Sequence, residues 1–247
     1  MRILVPLKLV PDLVEELEVD DSGRALDTEY VKFKLNEFDD HALEEALLLK
    51  ESDGAEVAAM AVDSEDADKL LFTALAKGAD RAIKLTGGEP KDSHQLARMI
   101  ANAIPSQGFD LIMTGVQSVD DRDGQLGPIL ATYLGIPCIS VVTGVQISGN
   151  AVTVNKEYSG GVMAEFEVDT PAVLGIQAAR QTPRYAPVSK IRQIQQTTSI
   201  ETVAAGDLGP GAGSEISHMS RPDKGAGAKM LNSVDELLEV LKQAGVV

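Results

Sequence analysis

Short apolar runs that alternate with helix-patterned stretches are the feature that most constrains this chain. "RILVPLKLV" (2–10), "AEVAAMAV" (55–62), "RAIKL" (81–85) and "FDLIMTG" (109–115) are brief and apolar on both faces. Strands of that kind belong to a parallel sheet covered on both sides. Between them lie "NEFDDHALEEALLLKES" (36–52), "DSEDADKLLFTALAKGAD" (63–80) and "SHQLARMIANAIPSQG" (93–108). In the first, Ala42, Leu43, Ala46, Leu47 and Leu49 recur at helical spacing; in the second, Leu70, Leu71, Ala74 and Leu75 do, behind a cap at Asp63 or Ser64. This order of elements predicts an α/β fold, a mostly parallel sheet with helices on both faces.

Two departures from that rhythm are legible. Residues 13–34 read as a hairpin turning at "DDSG", and 138–177 carry turn signals at Ser148-Gly149-Asn150 and Gly160-Gly161 with alternation between them. The second set predicts antiparallel strands added to the sheet. After "RQTPRYAPVSK" the chain turns polar, and 205–228 are rich in Gly, Ser and Pro, a composition that packs no core. A last helix is expected from Ser233, with Glu236 completing a capping box and Val234, Leu237, Leu238 and Leu241 on one face. The expected division is an α/β nucleotide-binding domain over 1–190 and a C-terminal extended arm and helix over 191–247. Whether that helix folds back or lies on a partner is left open by its pattern.

Composition excludes more than it assigns. With 22 Lys+Arg against 38 Asp+Glu, the formal charge of −16 repels nucleic acid and anionic membrane surfaces. No stretch approaches the length of a membrane span, and "MRILVPLKLVPD" does not read as a signal peptide, so no direct membrane insertion and a cytoplasmic setting are expected. Cys138 is the single cysteine and reads as a small core residue. His41 and His94 read as surface residues on helices, and His218 falls in the arm; no metal-ligand spacing and no nucleophile motif occurs. The residues favour a binder over an enzyme.

In a parallel sheet, ligands collect beyond the carboxyl ends of the strands. Three loops there are polar: "LNEFDD" (35–40), "VDSED" (62–66) and "GVQSVDDRDGQLGP" (115–128). In the last, Gly124 and Gly127 permit close backbone approach, the following helix offers unpaired N–H groups, and Arg122 adds a charge. Asp120, Asp121 and Asp123 are open to two readings: partners for ribose hydroxyls, or caps on the helix.

Four blocks resemble the electron transfer flavoprotein β-subunit family: "LVPLKLVPD", "KLNEFDDHALEEALLLKE", "TALAKGADRAIKL", and the span from "DLIMTGVQSVDDRDGQLGP" to "TPAVLGIQAARQTPRYAPVSKI". They fall in order over nearly the whole chain. The resemblance implies an adenine nucleotide alpha hydrolase-like fold and a heterodimer with an α subunit that holds most of the redox FAD. It implies electron transfer from flavin dehydrogenases, such as acyl-CoA dehydrogenases, to a quinone oxidoreductase, without substrate turnover of its own. It also implies that the C-terminal arm embraces the α subunit. A stand-alone adenine-nucleotide-binding regulator resembling universal stress proteins is the alternative, although the phosphate loop of those proteins is not found.

Carried over residue by residue, the resemblance assigns nucleotide contacts to Pro6, Asn36, Glu37, Phe38, Asp39, Val62 and the loop Asp120, Asp121, Arg122, Asp123, Gly124, Gln125, Leu126, Gly127 and Pro128. Backbone N–H groups of Asp123 to Leu126 would hold a phosphate. Leu13 and Phe38 would approach the flavin. Pro6 and Glu37 depart from the family pattern, and Asp123 replaces a hydroxyl or amide donor, so three outcomes stay open: AMP, an empty or side-chain-filled site, or a second FAD. Tyr185, Val188 and Lys190 fall on the family's dehydrogenase-recognition loop, where Val188 replaces a leucine.

Overall fold

The computed structural model describes residues 1–104, 108–222, 225 and 227–247. The end of the third expected helix (105–107) and positions 223, 224 and 226 of the glycine-rich stretch lie outside the described residues. The chain divides into two compact units, Met1–Glu16 with Thr28–Glu215, and Leu17–Asp27 with Ile216–Val247.

In the first unit the expected runs become β1 (Arg2–Pro6), β6 (Glu56–Val62), β7 (Arg81–Thr86) and β8 (Leu111–Gly115). Later in the chain come β9 (Cys138–Ser148), β10 (Ala151–Tyr158), β11 (Val162–Asp169), β12 (Ala172–Ile176) and β13 (Glu201–Ala204). Among the described residues these nine form one sheet in the order β11-β10-β9-β12-β8-β1-β6-β7-β13. Every pairing from β9 to β13 is parallel, whereas β10 pairs antiparallel with β9 and β11. The α/β expectation and the added antiparallel strands are therefore as read.

Strand periodicity sorts the side chains to two cores. Ile3 and Val5 of β1 join Leu43, Leu47 and Leu71 on one face, under α1 (Glu37–Asp53) and α2 (Ala67–Lys77). Leu4 points the other way and joins Met99, Ile100 and Leu130, under α3 (Ser93–Ala103) and α4 (Leu126–Leu134). Each such buried side chain contributes roughly 1.5–3 kcal/mol, so the two cores hold the sheet rigid beneath its loops.

Several local expectations change. The first run does not stay one strand: after Pro6 the chain leaves the sheet, Lys8 N–H turns to Asp39, and β2 (Leu9–Pro11) pairs antiparallel with β5 (Phe33–Leu35). The helix at 67 starts from Asp66 without a side-chain cap, so neither Asp63 nor Ser64 serves. The polar stretch after Lys190 is ordered as α5 (Val188–Thr197) and edge strand β13, and the boundary expected at 190/191 falls inside α5. Glu201 on β13 is held to Arg81 at 2.7 Å, an edge contact that reads as polarity in the sequence.

Val141 is a β-branched residue at φ 64°, a conformation costing roughly 1–3 kcal/mol. It is passed over in the register between β9 and β12. The bulge turns the Val142 carbonyl to accept Gln177 N–H at 2.8 Å, which anchors the chain as it leaves β12.

The second unit contains the hairpin β3 (Glu18–Val19) and β4 (Leu26–Asp27), closed by Asp20 N–H to Ala25 O at 2.9 Å. Met219 N–H donates to Gly23 O at 2.8 Å, and Arg221 pairs with Glu18. Helix α6 (Val234–Gln243) starts as expected, with Ser233 Oγ accepting from Glu236 N–H. Glu236 returns the bond one residue earlier than a strict box, to Asn232 N–H at 2.8 Å.

Candidate functional site

The sheet reverses direction at β1: the chain proceeds outward through β6 and β7, then returns to place β8 on the other side of β1. Beyond the carboxyl ends of β1 and β8 their loops splay apart, and a cleft opens there. Asp39, in the first turn of α1, ties the two ends together. Its carboxylate accepts Lys8 N–H at 2.9 Å and Gly115 N–H at 3.1 Å. That closeness requires glycine at 115, because a Cβ there would collide with Asp39 Oδ1 and lie 2.8 Å from Phe38 Cβ.

Burial dominates the Asp39 carboxyl and raises its pKa from 3.8 to about 7, against the pull of the two backbone N–H groups and Asn36. Because the folded pKa lies above the unfolded one, the folded state holds the extra proton, and this contribution to stability is full below pH ~4. It is lost as the pH rises toward about 7. Urea unfolding across that window is expected to show a decline of order 1–4 kcal/mol that is missing in Asp39→Asn. A wild-type profile parallel to that of the variant would refute the assignment.

Lys8 reaches into the same cleft. Its ammonium lies 2.9 Å from Asp120, 2.9 Å from Asp121 and 3.0 Å from Ser118 Oγ. Burial alone would lower the Lys8 pKa, but the bonds to Asp120 and Asp121 outweigh it and raise it above the ordinary value. Burial opposes ionisation of Asp120 too, and Ser118 and Lys8 reverse that, leaving its pKa low.

Two adjoining hollows share Lys8, Asp39, Leu96 and Leu126. One is apolar, with Pro6, Val62 and Leu85 in its wall, and encloses about 280 Å³ including its mouth. The other is polar, with Ser93, Gln117, Ser118, Asp121, Asp123 and Gly124, and encloses about 320 Å³.

Of the residues singled out from sequence, Pro6, Asp39, Val62, Asp121, Asp123, Gly124 and Leu126 line these hollows. Asn36 is fully buried beside them, its Nδ2 donating to Gln117 O at 2.9 Å while its Oδ1 has no partner among the described residues. Phe38 packs beside Gly115, and Gly127 is buried against Thr114. Glu37, Arg122, Gln125 and Pro128 are exposed, as is Leu13 on the turn after β2. The sequence reading missed Lys8, Ser93, Leu96, Gly115 and Ser118. Only Lys8, a lone cation in an apolar run, and Gly115, a glycine closing a strand, left a local signal.

Two of the four backbone donors expected to hold a phosphate, those of Asp123 and Gln125, are engaged within the loop. Asp123 N–H donates to Asp121 Oδ1 at 3.2 Å, and Gln125 N–H donates to Asp123 Oδ1 at 2.9 Å. Aspartates thus bond the chain just ahead of α4, whose N-cap Gln125 has no side-chain cap, and with Lys8 engaged by Asp120 and Asp121 the cleft is acidic. As they stand, these residues do not fit the phosphate of a nucleotide.

The segment leading to Tyr185 is fastened to α1. His41 Nδ1 accepts Ala179 N–H at 3.2 Å, so His41 is a structural acceptor and not the free surface residue expected. Glu45, fully buried, accepts Val145 N–H at 3.0 Å, Arg180 N–H at 3.0 Å and Arg180 Nε at 2.7 Å. Glu44, nearly as buried, accepts Arg184 N–H at 3.0 Å and Nη2 at 2.8 Å. Hydrogen bonds to Glu44 and Glu51 raise the Arg184 pKa further. Beyond that anchor Tyr185 and Val188 are exposed, at 80% and 55%, and Lys190 is exposed with them. Cys138 is half-buried, and burial raises its thiol to about 11, which leaves it unreactive at neutral pH.

Comparison with known proteins accounts for this arrangement. The family described as Electron transfer flavoprotein domain matches residues 24–208. The electron transfer flavoprotein subunit beta of Methylophilus methylotrophus is 34% identical over 96% of this chain and 94% of that protein. The chain belongs to the electron transfer flavoprotein β-subunit family. The subunit beta of Bos taurus is 31% identical over 99% of this chain and 98% of that protein, and that of Clostridium acetobutylicum 36% over 77% and 74%. As an electron transfer flavoprotein subunit, the chain has an electron-transfer role; the fastened loop and the cleft residues from Asp39 onward lie within the matched residues, while Pro6, Leu7 and Lys8 of the cleft precede them. No helix among the described residues is long and apolar enough to cross a membrane.

Proposed function

We propose that this chain is the β half of a heterodimer whose α subunit holds most of one FAD. The complex carries electrons from flavin dehydrogenases, such as acyl-CoA dehydrogenases, to a quinone oxidoreductase. The FAD supplies the redox chemistry, and this chain turns over no substrate itself. Its own residues shape the flavin's surroundings and the docking surface. Leu13 and Phe38 offer apolar contact near the flavin ring, while Tyr185, Val188 and Lys190 meet the dehydrogenase.

The observation that carries this reading is the family match over 24–208, which includes Asp39 and the α1-anchored segment. The test is co-expression with the α partner and purification. A heterodimer with an oxidised flavin spectrum, bleached by substrate and a dehydrogenase, is expected. A colourless homodimer of this chain under the same conditions would support the stand-alone regulator instead.

A further inference from the structure

The N-terminus of a helix attracts an anion, because its first N–H groups lack intrahelical acceptors and carry partial positive charge. At α4 part of that position is already taken, at the N-cap residue Gln125. Asp123 Oδ1 accepts Gln125 N–H at 2.9 Å, and Asp123 Oδ2 accepts the hydroxyl of Ser93 at 2.7 Å. Ser93 is 7% exposed and is the first residue of α3. Each oxygen of the carboxylate therefore takes a donor from a different helix start, the way a bound oxyanion would. Thr114 Oγ1, 1% exposed and near the first turn of α4, has no partner among the described residues. The carboxylate satisfies two donors and leaves this third polar group unmatched.

We infer that the Asp123 carboxylate fills, from within the chain, the anion position at the start of α4, so that this cleft excludes phosphorylated nucleotides while Asp123 is present. This rests on the proposed assignment of 120–128 as the family's phosphate loop. An incoming phosphate would have to displace Asp123 and then face Asp120 and Asp121. The nearby cation, Lys8, is already engaged by those two groups. Removing the Asp123 side chain frees Gln125 N–H and the Ser93 hydroxyl together.

The test is equilibrium dialysis of labelled AMP and adenosine against the αβ complex and against the full-length chain, with nucleotides released by heat counted by chromatography. Wild-type complex is expected to release FAD without AMP. Asp123→Ala is expected to bind AMP at least about tenfold more tightly than wild type, with adenosine affinity changed less than about threefold. Asp123→Asn, which keeps the shape and drops the charge, is expected to lie between them and serves if the alanine variant does not fold. AMP released in proportion to wild-type protein would overturn the inference, as would variants that gain no AMP affinity. A complex without FAD would overturn the electron-transfer reading instead, and AMP binding to the chain alone would still decide the role of Asp123.

Discussion

Gly115→Ala is expected to destabilise the chain by roughly 3 kcal/mol or more, a fall in melting temperature of about 10 °C. The added methyl group has no room: it meets Asp39 Oδ1, Phe38 Cβ at 2.8 Å and Asp39 N at 2.9 Å, and the last of these is backbone. Relief requires α1 to move away from β8, which breaks the bond from Gly115 N–H to a buried carboxylate. Gly127→Ala is the natural comparison, since its Cβ would be tight only against Thr114 Oγ1 at 3.2 Å, with Val173 Cγ1 and Cys138 Sγ at ordinary contact. That change should cost less than about 1 kcal/mol. Calorimetry of the two variants decides the matter: equal melting temperatures would mean that the Asp39 tie is not the tight point of the cleft.

Loss of the Arg184 side chain is the second large effect. Glu44 is 3% exposed and takes Nε and Nη2 of Arg184 at 2.9 and 2.8 Å. In Arg184→Ala the carboxylate stays buried with only a backbone N–H for company, at a cost of roughly 2–4 kcal/mol, since the arginine itself is partly solvated. Adding Glu44→Gln should recover part of that loss, because a neutral amide needs no counter-charge. The same pair of changes at the exposed Arg221 and Glu18 should do almost nothing. Urea titrations forming a double-mutant cycle measure both. A single-variant cost under about 0.5 kcal/mol for Arg184→Ala would show the pair to be ornamental.

The central strands were legible because parallel strands buried on both faces leave continuous apolar runs, as β6 and β8 do. The α6 start was legible because a capping signal is local. Strand β13 was not, because an edge strand buries little and its Glu201 pairs across 120 residues with Arg81. The latch on α1 was hidden for the same reason: Glu44 and Glu45 look like the solvent face of a helix until residues 135 to 140 positions away supply their partners. In the cleft, the loops at 35–40 and 115–128 were found from their polarity and position. The third contributes only Val62 as wall, since Asp63 is drawn off toward Lys84. What sequence could not give was direction: Asp120 and Asp121 face Lys8, and Asp123 faces Gln125 and Ser93.

Helix α1 serves both the cleft and the exposed loop. Its first turn carries Asp39; half a turn further on the same rod carries His41, and one to two turns on Glu44 and Glu45. At about 1.5 Å per residue, the whole helix is a stiff bar of roughly 25 Å. Such a bar does not bend locally to absorb a shift at one end; it tilts or slides as a body. On the proposed docking, a dehydrogenase resting on Tyr185 and Val188 would touch one end of a mechanical linkage whose other end is the seam between β1 and β8. Whatever loosens that seam should alter the grip on the partner, even though no residue of the seam belongs to the exposed loop.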